Sequence, residues 1–189
     1  FELDEDNKAA VAGICARLEG VPLAIELAEA RIRTMSPRQI LRRLDDRYAL
    51  LTRGSRTAPT RQQTLRWCVD WSYELLSTQE QDLFQQLSVF SGGWTLDAAE
   101  AVCDPAAQVV ALLPSLVDKS LVQVEREAAQ SRYRLLETLR QYAADKLRES
   151  RAEAAARSRH LRWCERLARA GDPGLSGPAH WEWLRRLEA

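Results

Sequence analysis

The sequence predicts a mainly α-helical fold that contains a single β-hairpin. Apolar residues recur at three- and four-residue steps along most of the 189 residues, which is the period of amphipathic helices. Around residues 121–136 they instead alternate with polar residues, which is typical of half-buried strands. Glycine and proline mark the ends of several helical segments, as at Gly20 and Pro22.

The first segment, residues 1–51, reads as a bundle of three or four short helices. One helical face collects apolar side chains, namely Val11, Ile14, Cys15 and Leu18. Gly20 supplies a common helix stop, and Pro22 suits the first position of the next helix because proline lacks an amide hydrogen. Ser36 and Gln39 form a capping box that starts another helix.

Residues 52–61 are predicted to be a linker, since Thr52 to Pro59 are rich in small and turn-forming residues and show no apolar period. Beyond them, residues 62–150 form a second domain. A long helix comes first, a Ser77–Glu80 capping box begins the next, and a third is expected over about 106–119.

The β-hairpin is predicted from Leu121 to Arg126 and from Arg132 to Leu136, and a helix starting at Thr138 follows it. The order of three helices, a hairpin and a helix is that of a winged-helix domain, which we assign to residues 62–150. Residues 151–189 are again helical in character and are predicted to start a helical-repeat (TPR-like) array.

Composition excludes several classes of protein. The 27 basic and 27 acidic residues cancel, so generic phosphate-driven binding to nucleic acid is not expected. The four cysteines are far apart and form no Cys-x-x-Cys pair, so neither a metal site nor a disulfide framework is expected. Because no apolar run approaches the ~20 residues of a membrane helix, we expect no membrane association and a cytoplasmic location.

The sequence also lacks the parts of a nucleotide hydrolase. It contains neither a Gly-x-x-x-x-Gly-Lys-Ser/Thr loop (Walker A) nor an apolar strand ending in paired acids (Walker B), and neither His160 nor His180 has a motif that places a nucleophile beside it. No catalytic residue is assigned, and the chain is not expected to be an enzyme. Since it opens on Phe1 and stops at Ala189 within a helix-like run, we expect an internal segment of a longer protein.

Several motifs in one order resemble a known family. Leu18-Glu19-Gly20-Val21-Pro22-Leu23-Ala24-Ile25-Glu26-Leu27-Ala28, Ser36-Pro37 and Leu44-Asp45-Asp46-Arg47 resemble the helical arm of NB-ARC domains in STAND-class signal-transduction ATPases. Arg61-Gln62-Gln63-Thr64-Leu65, Asp70-Trp71-Ser72-Tyr73, Leu116-Val117-Asp118-Lys119-Ser120-Leu121 and Tyr133-Arg134-Leu135-Leu136-Glu137-Thr138 are similar to bacterial multidomain transcriptional regulators of the LuxR and SARP types.

This resemblance implies an upstream P-loop domain, a helical arm (residues 1–51) and a winged helix that together close over ADP or ATP in the intact protein. Gly20, Pro22 and Leu23 would then lie on the adenine side. The family's phosphate-binding histidine is replaced within Leu135-Leu136-Glu137, and only Glu137 keeps an acidic character. Glu137 is therefore the fourth candidate residue of the nucleotide site. Its alternative role is to place a negative charge at the start of a helix, where it complements the helix dipole. This chain alone is not expected to bind nucleotide tightly, although the parent protein could be a slow ATPase.

The sequence is compatible with three functions. The first is the regulatory part of a nucleotide-switch transcriptional regulator, which would contact its upstream P-loop domain and could self-associate. The second is DNA binding by the winged helix, which is not expected because the helix over 106–119 offers only Gln108, Ser115, Asp118 and Lys119 and no arginine. The third is a helical protein-interaction scaffold, with Trp163, Trp181 and Trp183 as anchors.

Overall fold

The computed structural model describes residues 4–18, 20–51, 60–126 and 131–175. Contacts divide the chain into two compact units, Phe1–Leu75 and Leu76–Ala189. Each unit has its own buried apolar core, and the two are described separately.

The first unit is a bundle of helices. They are α1 (Glu5–Arg17), α2 (Pro22–Glu29), a 3-10 helix (Ala30–Arg33), α3 (Pro37–Leu51) and α4 (Thr60–Glu74). Helix α1 packs against α3, and α2 packs against α4. Leu18, Leu27 and Ile40 are fully buried between them, so the predicted helical bundle is confirmed in this unit.

Local sequence signals set the ends of these helices. Helix α1 begins at a capping box in which the Asn7 amide donates to the Asp4 carboxylate at 2.8 Å. It is followed by Gly20, whose φ of +67° lies in the left-handed region that favours glycine. Pro22 is the first residue of α2, and the Gln39 amide donates to the Ser36 hydroxyl at 3.3 Å. These three predicted helix ends are confirmed.

Helix α4 belongs to the first unit, whereas the sequence assigned it to the winged-helix domain over 62–150. Its buried face contains Trp67, Cys68, Val69 and Trp71. This face packs against α2, and the Arg31 guanidinium donates to the Ser72 carbonyl at 3.2 Å. Apolar periodicity predicted the helix but could not show which core it joins. Of the predicted linker over 52–61, residues 52–59 lie outside the described residues.

The second unit combines helices with a small sheet. Its elements are α5 (Thr78–Leu87), β1 (Gly93–Thr95), α6 (Leu96–Val102), a 3-10 helix (Pro105–Ala107), α7 (Val109–Asp118), β2 (Gln123–Arg126), β3 (Ser131–Arg134), α8 (Glu137–Glu149) and α9 (Glu153–Leu175). The sheet has the order β1-β3-β2 with antiparallel neighbours. Its core side chains include Phe84, Leu87, Trp94, Leu116 and Leu139.

The hairpin prediction is confirmed by β2 and β3, but the sequence missed the third strand. Gly93–Thr95 pairs with β3 and places Trp94 opposite Tyr133. The helix expected over 106–119 is also divided, because Gln108 has a φ of +45° and separates the 3-10 helix from α7.

The described part of the predicted helical array consists of α9, which packs on α6 and α8. The TPR-like repeat itself stays a prediction, since residues 176–189 lie outside the described part. Within the described ranges, no helix is both long and apolar enough to cross a membrane.

Candidate functional site

Three of the four predicted nucleotide-site residues lie together where α1 ends and α2 begins. Gly20 and Pro22 are exposed, and Leu23 is half-buried. A Cβ atom placed on Gly20 would meet no other atom within 4 Å, so the backbone is open at this turn. The fourth residue, Glu137, belongs to the other compact unit.

Glu137 is the first residue of α8, and its carboxylate is already occupied. Arg140 donates to it through two nitrogens, at 2.8 and 2.7 Å, and Gln141 donates at 2.8 Å. The hydrogen bonds from Arg140 and Gln141 lower the pKa of the exposed Glu137 carboxyl to about 2. An anion held at a helix start complements the helix dipole. The geometry therefore supports the alternative role given for Glu137 in the sequence.

A polar cluster around the buried Glu80, made of Ser77, Glu80, Ser115 and Lys119, joins the start of α5 to α7. The Ser77 amide donates to one Glu80 oxygen at 2.8 Å, which completes the predicted capping box. The other Glu80 oxygen accepts from the Ser115 hydroxyl at 2.6 Å and from the Lys119 ammonium group. Glu80 is only 6% exposed, so these contacts replace its hydration.

The pKa of Glu80 reflects this competition between burial and pairing. Burial of Glu80 raises its pKa, but hydrogen bonds from Lys119, Ser115 and Ser77 outweigh burial and lower the pKa to about 2. Glu80 is therefore ionised at neutral pH. The sequence identified Glu80 only as a helix cap, because its partners on α7 lie 35 and 39 residues away in the chain.

The outer surface of α7 is largely apolar. Val110 is 57% exposed, and Ala111 and Pro114 are exposed beside it. Helix α7 contains no lysine or arginine, and Lys119, the residue that follows it, is paired with Glu80. Of the four DNA-contact residues considered from the sequence, Ser115 and Lys119 thus bind within the unit, while Gln108 and Asp118 are exposed.

The β2–β3 hairpin carries an exposed basic residue, Arg134. Arg134 Nε lies 3.0 Å from the Gln123 side-chain oxygen and 3.1 Å from a Glu125 carboxylate oxygen, so its charge is partly neutralised across the hairpin. The Arg132 guanidinium covers Gly93 on β1, where a Cβ atom would come within 3.0 Å of Arg132 Nη2.

A second polar cluster, made of Gln86, Val102, Asp104 and Arg159, attaches α9 to α5 and α6. Arg159 donates through Nε to the Val102 carbonyl and through Nη2 to Gln86 Oε1, both at 2.7 Å. The Asp104 amide donates to the same Gln86 oxygen at 2.7 Å. No sequence motif indicated this cluster, because its members are separated by up to 73 residues.

Comparison with protein families finds a match to the first part of the second unit. Residues 76–148 match the family described as the winged helix-turn-helix domain. Residues 76–148 form a winged helix-turn-helix domain. The match begins where the second compact unit begins, which agrees with the placement of α4 in the first unit. Helix α9, which packs on the winged helix through Arg159, lies beyond the match.

Curated relatives include mycobacterial proteins. The chain is 49% identical over 173 residues to a Mycobacterium tuberculosis protein and a Mycobacterium bovis protein, each named "Putative HTH-type transcriptional regulator". This similarity covers 89% of the chain and 19% of each relative. It is also 42% identical over 183 residues to an uncharacterized Mycobacterium tuberculosis protein, which covers 93% of the chain and 47% of that protein. The chain thus spans from about a fifth to about half of the length of these relatives. No solved structure matches it.

These comparisons confirm the predicted winged helix and support the predicted link to transcriptional regulators. Within the described ranges, no group of three or more His, Cys, Asp and Glu side chains is placed to hold a metal ion. Cys68 and Cys103 are buried, and burial raises the pKa of each thiol to about 12, so neither is a reactive thiolate at neutral pH.

Proposed function

We propose that the chain is the regulatory part of a transcriptional regulator, in which the winged helix makes protein contacts rather than reading DNA. The surface of α7 carries this proposal. Helices that read the major groove present polar side chains to bases and cations to phosphates. Here α7 presents Val110, Ala111 and Pro114, while Lys119 is directed to Glu80.

The finer proposal is a nucleotide switch of the NB-ARC and STAND class. The first unit and the winged helix would close over ADP or ATP held by an upstream P-loop domain, and the TPR-like array would follow. The motif resemblance supports this proposal, as do the open backbone at Gly20 and the exposed Pro22 ring at the start of α2. Each nucleotide would favour the closed or the open form only through its different affinity for the two.

In this proposal, a residue other than the family's histidine contacts the nucleotide phosphates. Leu135 is buried and Leu136 has no hydrogen-bond donor in its side chain, and Glu137 is engaged by Arg140. In this proposal, the described residues contact the adenine and provide the winged helix that closes over the nucleotide. The upstream P-loop domain carries out any hydrolysis.

The test is calorimetric titration of ADP into the native full-length polypeptide. Pro22→Ala should weaken ADP binding about fivefold, or ~1 kcal/mol, through lost ring contact. Pro37→Ala is the matched control, because Pro37 is also the first residue of a helix in the same unit. Equal ADP affinities of the two variants would show that Pro22 does not contact the nucleotide. A native polypeptide without a P-loop segment would overturn the switch, and micromolar ADP binding by the 189 residues alone would contradict the predicted need for the upstream domain.

DNA binding is the second candidate, favoured by the winged helix-turn-helix match and by the basic side chain of Arg134 on β3. Fluorescence anisotropy with duplex DNA at two salt concentrations tests it. The proposal expects no saturable binding. Arg148→Ala is the control, because Arg148 is also an exposed arginine but lies on α8. Saturable, salt-dependent binding that is lost in Arg134→Ala and kept in Arg148→Ala would make DNA recognition the function.

The scaffold function has less support. Trp163 is half-buried, and its ring lies 6.0 Å from that of His160 and 6.2 Å from that of Phe90. It therefore packs within the second unit and is not a free anchor. Trp181 and Trp183 lie outside the described residues.

A further inference from the structure

A cavity of about 390 Å³ opens in the second unit among α5, the 3-10 helix before α7, the end of α8 and the start of α9. Its volume is within the range of small-molecule sites. Small apolar side chains and Leu147 form one part of the wall. The polar part includes Gln86, Asp82, Asp104, Arg159 and Ser150.

The side chain of Gln86 has a fixed orientation in this wall. Its Oε1 atom receives two donors, the Asp104 amide and Arg159 Nη2, so the oxygen must face them and the amide nitrogen Nε2 must lie on the other side. Gln86 is only 8% exposed, and its side-chain hydrogen bonds to the described residues all use Oε1, which leaves Nε2 without one. Because Gln86 lines the cavity, this unpaired amide can donate to an acceptor on a ligand.

Arg159 offers a second donor. Its Nε and Nη2 atoms are hydrogen-bonded at 2.7 Å, but Nη1 is 3.9 Å from the Asp104 carboxylate, which is too long for a hydrogen bond. The wall therefore has two donors, Gln86 Nε2 and Arg159 Nη1, that suit a carboxylate.

Two carboxylates provide the opposite charge. Asp104 uses one oxygen to accept from the Ala106 amide at 3.0 Å, and the other has only the long contact with Arg159. Asp82 is exposed and forms no ion pair with any described residue. With Arg159 as the only cation in the wall, the lining has one excess negative charge and suits an ammonium group.

We propose that this cavity binds a small zwitterion of the free amino acid class. The ligand carboxylate accepts from Gln86 Nε2 and Arg159 Nη1, and the ligand ammonium group pairs with Asp82 and Asp104. Because Arg159 holds α9 on the winged helix, an occupied cavity also stabilises that attachment. Its use as an effector site rests on the proposed regulatory function, whereas the binding itself does not.

The first experiment is calorimetric titration of the twenty free amino acids, each to about 1 mM, into the 189-residue chain. We expect saturable binding of at least one. The corresponding amine without the carboxylate and the corresponding acid without the ammonium group should each bind at least about fivefold more weakly. Lack of binding by every amino acid, or equal affinity for either analogue, would overturn the assignment.

The second experiment uses a variant that leaves the fold intact. Asp82→Asn removes an exposed carboxylate with no ion-pair partner and should weaken the ligand about fivefold. Glu100→Gln removes one negative charge from α6, outside the cavity, and should bind as the wild type does. Unchanged affinity in Asp82→Asn, or equal loss in Glu100→Gln, would refute the site. Neither result depends on ADP or DNA binding, so the regulatory proposal is tested separately.

Discussion

The Glu80 carboxylate on α5 accepts a hydrogen bond from the Ser115 hydroxyl on α7 at 2.6 Å, and the Lys119 ammonium group contacts the same oxygen. The opposite Glu80 oxygen completes the α5 capping box with Ser77. One side chain thus satisfies a helix start and joins two helices of the winged helix. It also engages Lys119, the lysine nearest α7 in the sequence, in an ion pair.

Glu80→Gln should destabilise the winged helix by about 1–3 kcal/mol, because the amide keeps the cap but leaves Lys119 without a charged partner. Urea unfolding followed by circular dichroism measures the change. Glu100→Gln, at an exposed position on α6, is the matched control and should stay within about 0.5 kcal/mol of the wild type. Equal stabilities of the two variants would contradict the role of Glu80.

The contribution of Glu80 should depend on pH. Its folded-state pKa of about 2 lies below the ordinary value of 4.5, so the stabilisation is present above pH 4.5 and is lost as the pH falls towards 2. The difference in unfolding free energy between the wild type and Glu80→Gln should therefore be constant at neutral pH and shrink over this interval. Taking the difference removes the effect of Glu137, whose pKa is also lowered. A difference that persists at pH 2 would show that ionisation of Glu80 is not its cause.

Gly20→Ala should destabilise the first unit by about 1–2 kcal/mol through backbone strain alone. The φ of Gly20 is +67°, yet a Cβ atom would have no neighbour within 4 Å, so no steric clash contributes. Thermal unfolding monitored by circular dichroism gives the change. Gly92→Ala is the control, because Gly92 is equally open but outside the left-handed region, and its effect should be small. Similar losses at both positions would argue against strain at Gly20.

Arg159→Lys should loosen α9 without unfolding the winged helix. Lysine keeps the charge but cannot donate in a fork to both the Val102 carbonyl and Gln86. Hydrogen exchange should become roughly tenfold faster in α9, which corresponds to about 1.4 kcal/mol, and remain unchanged in α5. Arg162→Lys, on the exposed side of the same helix, should leave both rates unchanged. Unaltered exchange of α9 in Arg159→Lys would show that Arg159 does not hold it.

The parts of the fold that depend on nearby residues could be predicted. The Ser77–Glu80 capping box involves residues only three positions apart. The end of α1 near Gly20 and the start of α2 at Pro22 depend on the backbone preferences of these two residues themselves. Alternation of apolar and polar residues was enough to find β2 and β3, which pair directly along the hairpin.

The parts that depend on distant contacts could not be predicted. Strand β1 has only three residues, and its pairing with β3 joins segments about 40 residues apart. Helix α4 has a clear apolar face, but periodicity does not say that this face meets α2. The site prediction for Glu137 overlooked Arg140, although a spacing of three residues on a helix brings such a pair together.

The attachment of α9 through Arg159 also bears on how the winged helix should be produced. A polypeptide cut at residue 148, where the family match ends, would lose the guanidinium that satisfies the Val102 carbonyl and Gln86 Oε1. It would also uncover the faces of α6 and α8 on which α9 packs. We therefore expect that a polypeptide ending after α9 folds more stably than one ending at residue 148.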